Sequence, residues 1–363
     1  MSAIAKLLEF GQSPWYDNLT RALARGGLRA LIDEDGIRGV TSNPTIFEKA
    51  MAAGNDYDEQ LADLARDGVA AKDAYWELVL DDITHASGIL QPVFDDAKGG
   101  DGFVSIEVDP DLAHDTPGTT QQAAYLFERL GRPNVMIKIP ATREGLPAIE
   151  DSIAAGININ ITLIFSLARY DEVIDAYLRG LERFAHAGGD ASTVASVASF
   201  FVSRVDTETD RRLPEGHPLR GKAAVANAKL AYEQFRRRFS GERWEALAAK
   251  SARLQRPLWA STSTKNPAYS PTLYIDELIG PDTVNTLAQA SVEVLRDHTG
   301  LRPNTVMEDV EGAHKVMAAL AEAGVDFDDV TATLEREGVE SFSASFHDAL
   351  DTLDKKGREL TQR

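Results

Sequence analysis

The chain contains no cysteine, which excludes disulfides, thiolate nucleophiles and cysteine-bound metals. Long apolar runs are also missing. The longest, Ile161 to Ala168, is broken by Thr162 and Ser166 and falls far short of the roughly 20 residues a membrane helix needs. Positive charge is scarce: 38 Lys and Arg face 57 Asp and Glu among 363 residues, for a net charge of -19. That balance argues against nucleic acid or an anionic membrane as the main partner. An anionic substrate must then be caught by a few local cations against the overall field, and the basic run Arg236-Arg237-Arg238 reads as a solvated helix face. The segment Met1 to Trp15 lacks a continuous apolar core followed by a small-residue cleavage site. It does not read as a signal peptide, and a cytoplasmic protein is expected. No Pro/Gly/Ser linker divides the chain, so a single domain over residues 1–363 is expected.

What is present is an alternation of short β-favouring segments with helical patterns, as in parallel βα units. The strands expected are Gln12 to Tyr16, Ile37 to Thr41, Phe103 to Val108, Val135 to Ile139, Ile157 to Ile164, Thr193 to Phe201, Pro257 to Ala260 and Thr283 to Leu287. Helical periodicity falls between them at Gln121 to Leu130, Pro147 to Ala155, Leu167 to Ala187, Ala223 to Phe239 and Ser291 to Arg296. Eight such units predict an α/β fold, a closed (β/α)8 TIM barrel. Extra helices are expected between strands 2 and 3 (Thr45 to Ala53, Asp56 to Arg66, Lys72 to Leu90) and before strand 7. More are expected over Gly312 to Lys356, with Asp326-Phe327-Asp328-Asp329 as an acidic turn between them. The polar stretch Asp206 to Lys222 reads as a long exposed loop. Gly99-Gly100-Asp101-Gly102 and Gly188-Gly189 fit turns rather than phosphate loops.

Within strand 4, Val135-Met136-Ile137-Lys138-Ile139-Pro140 puts one lysine inside an apolar run. Burial disfavours an ammonium and is the usual route to a Schiff-base-forming amine; the same pattern also suits a lysine on the solvent face of an edge strand. In a barrel of this type, chemistry sits at the strand C-termini. Those ends offer Asp17, Asn43, Glu107, Lys138, Asn160 with Thr162, Ser199 with Arg204, and Ser263 with Lys265, and no histidine. Asp17 and Asn43 equally suit helix caps, Ser199 suits packing and Arg204 a surface charge. Asn160 and Thr162 share one strand face by the two-residue period.

These blocks, in order, resemble the transaldolase family: Gly39 to Phe47, Val104 to Asp109, Ile137 to Thr142, Gly156 to Ser166, Ala198 to Arg204 and Ser261 to Asn266. The resemblance implies that Lys138 is the Schiff-base lysine and Asp17 the acid/base carboxylate. It implies that Glu107 and Thr162 position a water for proton transfer, that Asn43, Asn160 and Ser199 hold the dihydroxyacetone hydroxyls, and that Arg204, Ser263 and Lys265 bind the sugar phosphate. Many members of the family carry arginine where this chain has Lys265, a point charge in place of a bidentate fork.

The activity so implied is transfer of a dihydroxyacetone unit from a ketose phosphate (sedoheptulose 7-phosphate or fructose 6-phosphate) to an aldose phosphate (glyceraldehyde 3-phosphate or erythrose 4-phosphate). It belongs to the non-oxidative pentose phosphate pathway and needs no metal and no other cofactor. The expected partners are sugar phosphates, with no nucleic acid and no membrane, for a monomer or homodimer. Rival readings are a fructose 6-phosphate aldolase that frees dihydroxyacetone, a non-catalytic sugar-phosphate-binding barrel, and a pyridoxal-phosphate enzyme. A metal-dependent aldolase using Glu107, Asp109 and Asp111 is a further one.

Overall fold

The computed structural model describes residues 2–362. Met1 and Arg363, the ends of the expected domain, lie outside that range. Eight strands pair in sequence order, each parallel to the next, and strand 8 closes back on strand 1. They are β1 (Gln12–Asp17), β2 (Gly39–Thr41), β3 (Val104–Glu107), β4 (Val135–Pro140), β5 (Ile159–Ile164), β6 (Ser196–Phe201), β7 (Gln255–Ala260) and β8 (Thr283–Leu287). All eight expected strands form, within three residues of the expected ends. Strands covered by helices outside and by packed side chains inside are buried on both faces, which is why they read as near-continuous apolar runs.

Partners in register point to the same side of the sheet, so the pairing identifies the lumen. Trp15 lies opposite Gly39 and Thr286, and Asp17 opposite Thr41. Glu107 pairs with Lys138, Lys138 with Asn160, and Pro140 with Thr162. The indole of Trp15 fills the space beside Gly39, where an added Cβ would stand 2.5 Å from the ring; only glycine fits there. Trp15, fully buried and donating from Nε1 to Asp101 at 2.8 Å, forms part of the floor beneath the polar level.

The additional helices occur where the sequence places them. Pro44–Ala52, Asp58–Arg66 and Ala71–Asp96 lie between β2 and β3, Glu242–Ala248 precedes β7, and Val310–Glu322 and Phe327–Thr361 end the chain. The third of these runs past the expected end at Leu90 and through Pro92, a residue that normally ends helices because it lacks the N–H that bonds four residues back. The acidic turn is instead a helix start: Asp326 accepts from the Asp329 N–H, and Asp328 and Asp329 lie in the first turn, where the helix dipole favours negative charge.

The stretch Asp206 to Lys222 departs most from expectation. Its first seven residues complete the helix Ser203–Arg212, and Asp206, Glu208, Thr209 and Asp210 are buried. Their polarity hid the helix because the inward face is held by hydrogen bonds rather than by apolar side chains. Arg236, Arg237 and Arg238 do lie on a largely solvated face, with Arg238 ion-paired to Asp171 and Asp175. Among the described residues no helix is long and apolar enough to cross a membrane.

Candidate active site

A cavity of about 670 Å³ opens at the C-terminal ends of the strands, within the size range of small-molecule sites. Its wall includes Asp17, Asn43, Lys138, Thr162, Ser199, Arg204, Ser263 and Lys265. Eight of the ten residues singled out from the sequence therefore share one space. Glu107 and Asn160 stand just behind it, as neighbours of Lys138 in register.

Lys138 is 5% exposed, so the edge-strand reading fails. Its Nζ lies 3.1 Å from Glu107 Oε2 and donates to the Ser42 carbonyl at 3.2 Å. Burial raises the Glu107 pKa above the ordinary carboxylate range; the adjacent Lys138 charge opposes this and nearby Asp17 adds to it. Thr162 Oγ1 is buried without a partner among the described residues, so its hydroxyl is unengaged on the cavity wall that Lys138 also lines.

Asp17 accepts from Thr41 Oγ1 at 2.7 Å; among the described residues no backbone N–H caps on it, and the residue lines the cavity. Asn43 does cap: Oδ1 accepts from the Ile46 N–H at 3.0 Å, at the start of the helix Pro44–Ala52, while the residue also lines the cavity. Capping and a place on the cavity wall coexist in this residue. Asn160 is engaged at both ends, donating to Ser105 Oγ at 3.0 Å and accepting from Ser199 Oγ at 2.7 Å. It thus ties β3, β5 and β6 together beneath Ser199. Leu163, the next residue but two along β5, has a left-handed backbone (φ 58) where the pairing with β6 shifts register; such a bulge re-aims neighbouring side chains.

At the rim, cations gather. Burial pulls the Arg204 pKa down, countered by Asp17 and Glu337. Lys265, on the exposed loop after β7, also has a lowered pKa, first from partial loss of water and then from repulsion by Arg204, with Lys49 adding to it. Repulsion among clustered cations marks a place suited to an anion. Ser263 Oγ lies 2.9 Å from Ser291 Oγ beside them.

The acidic trio weighed as a metal site is drawn apart. Glu107 turns to Lys138, Asp109 pairs with Lys72, and Asp111 contacts Ser343 and His347. Among the described residues no group of three or more His, Asp or Glu is placed to hold a metal ion.

Several wall residues were not anticipated: Lys49 from the helix after β2, Gln289 and Thr286 from β8 and the residues after it, and Ser341 and Phe342 from the C-terminal helix. Lys49 lies two residues beyond the Gly39 to Phe47 block and was open to discovery as a cation near Asn43. Phe342, by contrast, is one apolar residue of a helical stripe and carries no signal of its own.

Comparison with known sequences accords with this geometry. A family model described as Transaldolase/Fructose-6-phosphate aldolase matches residues 14–353. The chain belongs to that family. It is 52% identical over 348 residues to "Transaldolase" of Acidothermus cellulolyticus, covering 94% of each chain. It is 47% identical to "Transaldolase 2" of Streptomyces avermitilis, covering 99% of this chain and 98% of that one. With "Transaldolase" of Thermobifida fusca it shares 49% identity over 97% of both.

Proposed function

We infer that this chain is a transaldolase, a transferase that moves a dihydroxyacetone unit between sugar phosphates through an imine on Lys138. The single observation that carries the reading is the buried Lys138–Glu107 pair at the base of a cavity whose rim holds Arg204 and Lys265. An amine able to condense with a ketone stands at one end, and cations suited to a phosphate stand at the other.

Burial gives Glu107 an unusual affinity for a proton, so the carboxyl takes the proton that the amine must shed before it attacks. Lys138 adds to C2 of fructose 6-phosphate or sedoheptulose 7-phosphate. Glu107, through a water held by Thr162, protonates the departing C2 hydroxyl, and the carbinolamine loses water to give the iminium ion. That ion accepts the electron pair of the C3–C4 bond as Asp17 removes the C4 hydroxyl proton. An aldose phosphate leaves, and the three-carbon enamine stays covalently bound. Asn43 and Ser199 hydrogen-bond its hydroxyls, with Asn160 supporting Ser199 from below. A second aldose phosphate then receives the fragment by the reverse sequence. Arg204, Ser263 and Lys265 hold the phosphate in both half-reactions, with lysine donating as a point charge. The protein acts as one domain in the cytoplasm, as a monomer or homodimer, in the non-oxidative pentose phosphate pathway.

Borohydride added with fructose 6-phosphate should fix the fragment on the peptide containing Lys138, read by mass spectrometry. Label on another lysine would overturn the assignment. Product chromatography separates transfer from simple aldol cleavage, in which free dihydroxyacetone appears without an acceptor.

A further inference from the structure

Lys265 sits on the segment between β7 and the short helix Leu273–Glu277, on the wall of the same cavity as the like-charged Arg204. Something must hold it there. The near end of the segment is tied down by Thr262, whose hydroxyl lies 2.9 Å from Asn285 Oδ1 and 3.1 Å from the Thr286 carbonyl. Beyond Lys265 the chain turns, with the Tyr269 N–H donating to the Asn266 carbonyl at 3.1 Å. The Tyr269 hydroxyl then donates to Asp210 Oδ2 at 2.5 Å. Asp210 belongs to the helix Ser203–Arg212, whose first turn carries Arg204.

The receptor for this tyrosine is built from the polar stretch that the sequence presents as a loop. Asp210 Oδ1 accepts from the Gly221 N–H at 2.9 Å, and Arg220 donates to the Asp210 and Leu213 carbonyls at 2.6 and 3.0 Å. Gly221 has φ +71, and an added Cβ would stand 2.6 Å from the Tyr269 ring. A glycine is therefore required both by the backbone and by the ring seated against it. Five residues further on, Tyr274 repeats the bond on Asp206 at 2.8 Å.

We propose that Tyr269 is a positioning residue for phosphate binding: with its ring seated at Gly221 and its hydroxyl on Asp210, it holds Lys265 beside Arg204 so that the phosphate meets a preformed pair of cations. Without that tie, repulsion from Arg204 moves the Lys265 loop outward, and the ordering must come from binding energy instead. This rests on the reading of Arg204 and Lys265 as the phosphate site.

The test uses inorganic phosphate, which needs no chemistry at Lys138, with binding measured by calorimetry on the full chain. Tyr269→Phe keeps the ring in its seat and removes only the hydroxyl. It should weaken phosphate binding about tenfold, the order of one hydrogen bond to a charged group, and raise KM for fructose 6-phosphate with kcat retained. In a Lys265→Ala background the same change should have no further effect, since Tyr269 acts through Lys265. Asp210→Ala, which leaves the hydroxyl no partner at that position, should reproduce the result and serves in its place if Tyr269→Phe fails to fold. Binding equal to wild type in Tyr269→Phe would overturn the proposal, as would an equal loss in both backgrounds, which marks a general structural role. Absence of phosphate binding in the unsubstituted protein would instead remove the phosphate-site reading and this proposal with it.

Discussion

The ring centroid of Phe342 stands 5.7 Å from Lys138 Nζ, so the C-terminal helix Phe327–Thr361 supplies one wall beside the buried amine of β4. Phe342 is buried, and Ser341 beside it also lines the cavity. Under the proposed mechanism, an aromatic face within about 6 Å suits the iminium cation, and a bulky ring there would exclude water from the enamine. Phe342→Ala should therefore shift the fate of the bound fragment toward free dihydroxyacetone. Chromatography of products, with donor and acceptor both present, reads this as a lower ratio of transfer to release. The cavity left in the core should also cost about 3–5 kcal/mol of stability, so the comparison belongs well below the variant's melting temperature. An unchanged ratio would mean that Phe342 only packs.

Asp17 is held by a 2.7 Å hydrogen bond from Thr41 on the neighbouring strand, an arrangement that fixes the carboxylate at the cavity wall. Asp17→Ala should leave borohydride trapping at Lys138 measurable while slowing transfer by ~10²-fold or more, the usual contribution of a positioned general base. Burst kinetics with fructose 6-phosphate separate the two steps. Turnover equal to wild type would remove Asp17 from the chemistry.

The barrel was legible because its strands are buried on both faces, and a polar residue inside such a strand is conspicuous: Lys138, Asn160 and Thr162 stand out for that reason. The gathering of candidate residues at strand ends around one cavity followed from the same rule. The stretch from Asp206 to Arg212 was not legible as a helix, since its buried residues are polar and include Asp206 and Asp210, satisfied by Tyr274, Tyr269 and the Ala224 and Gly221 N–H groups. Those partners lie 11 to 68 residues away along the chain, beyond any local pattern. The placement of Phe342 over the lysine is equally non-local. It depends on how a 35-residue helix packs against the helices that follow β2, and a periodic apolar stripe does not say which residue will meet a cavity.

Asp206 yields a prediction about pH. Burial, assisted by the Asp210 charge, pushes its pKa up to about 6, although the Ala224 N–H and the Tyr274 hydroxyl oppose the shift. The unfolded chain holds an ordinary aspartate near ~3.9. Because the folded value is the higher one, the folded state binds the proton more tightly. The stabilisation is complete below about pH 4 and is lost as pH rises through about 6. At pH 5 on the order of 1 kcal/mol of it remains, and at pH 7.5 almost none. Asp206→Asn cannot titrate, so the stability of the unsubstituted protein relative to this variant should fall by that amount between pH 5 and pH 7.5. Urea midpoints of the two proteins at both pH values measure the difference, in which the titrations they share cancel. A difference that grows with pH would mean that the charged carboxylate, and not the protonated one, is what this buried position favours.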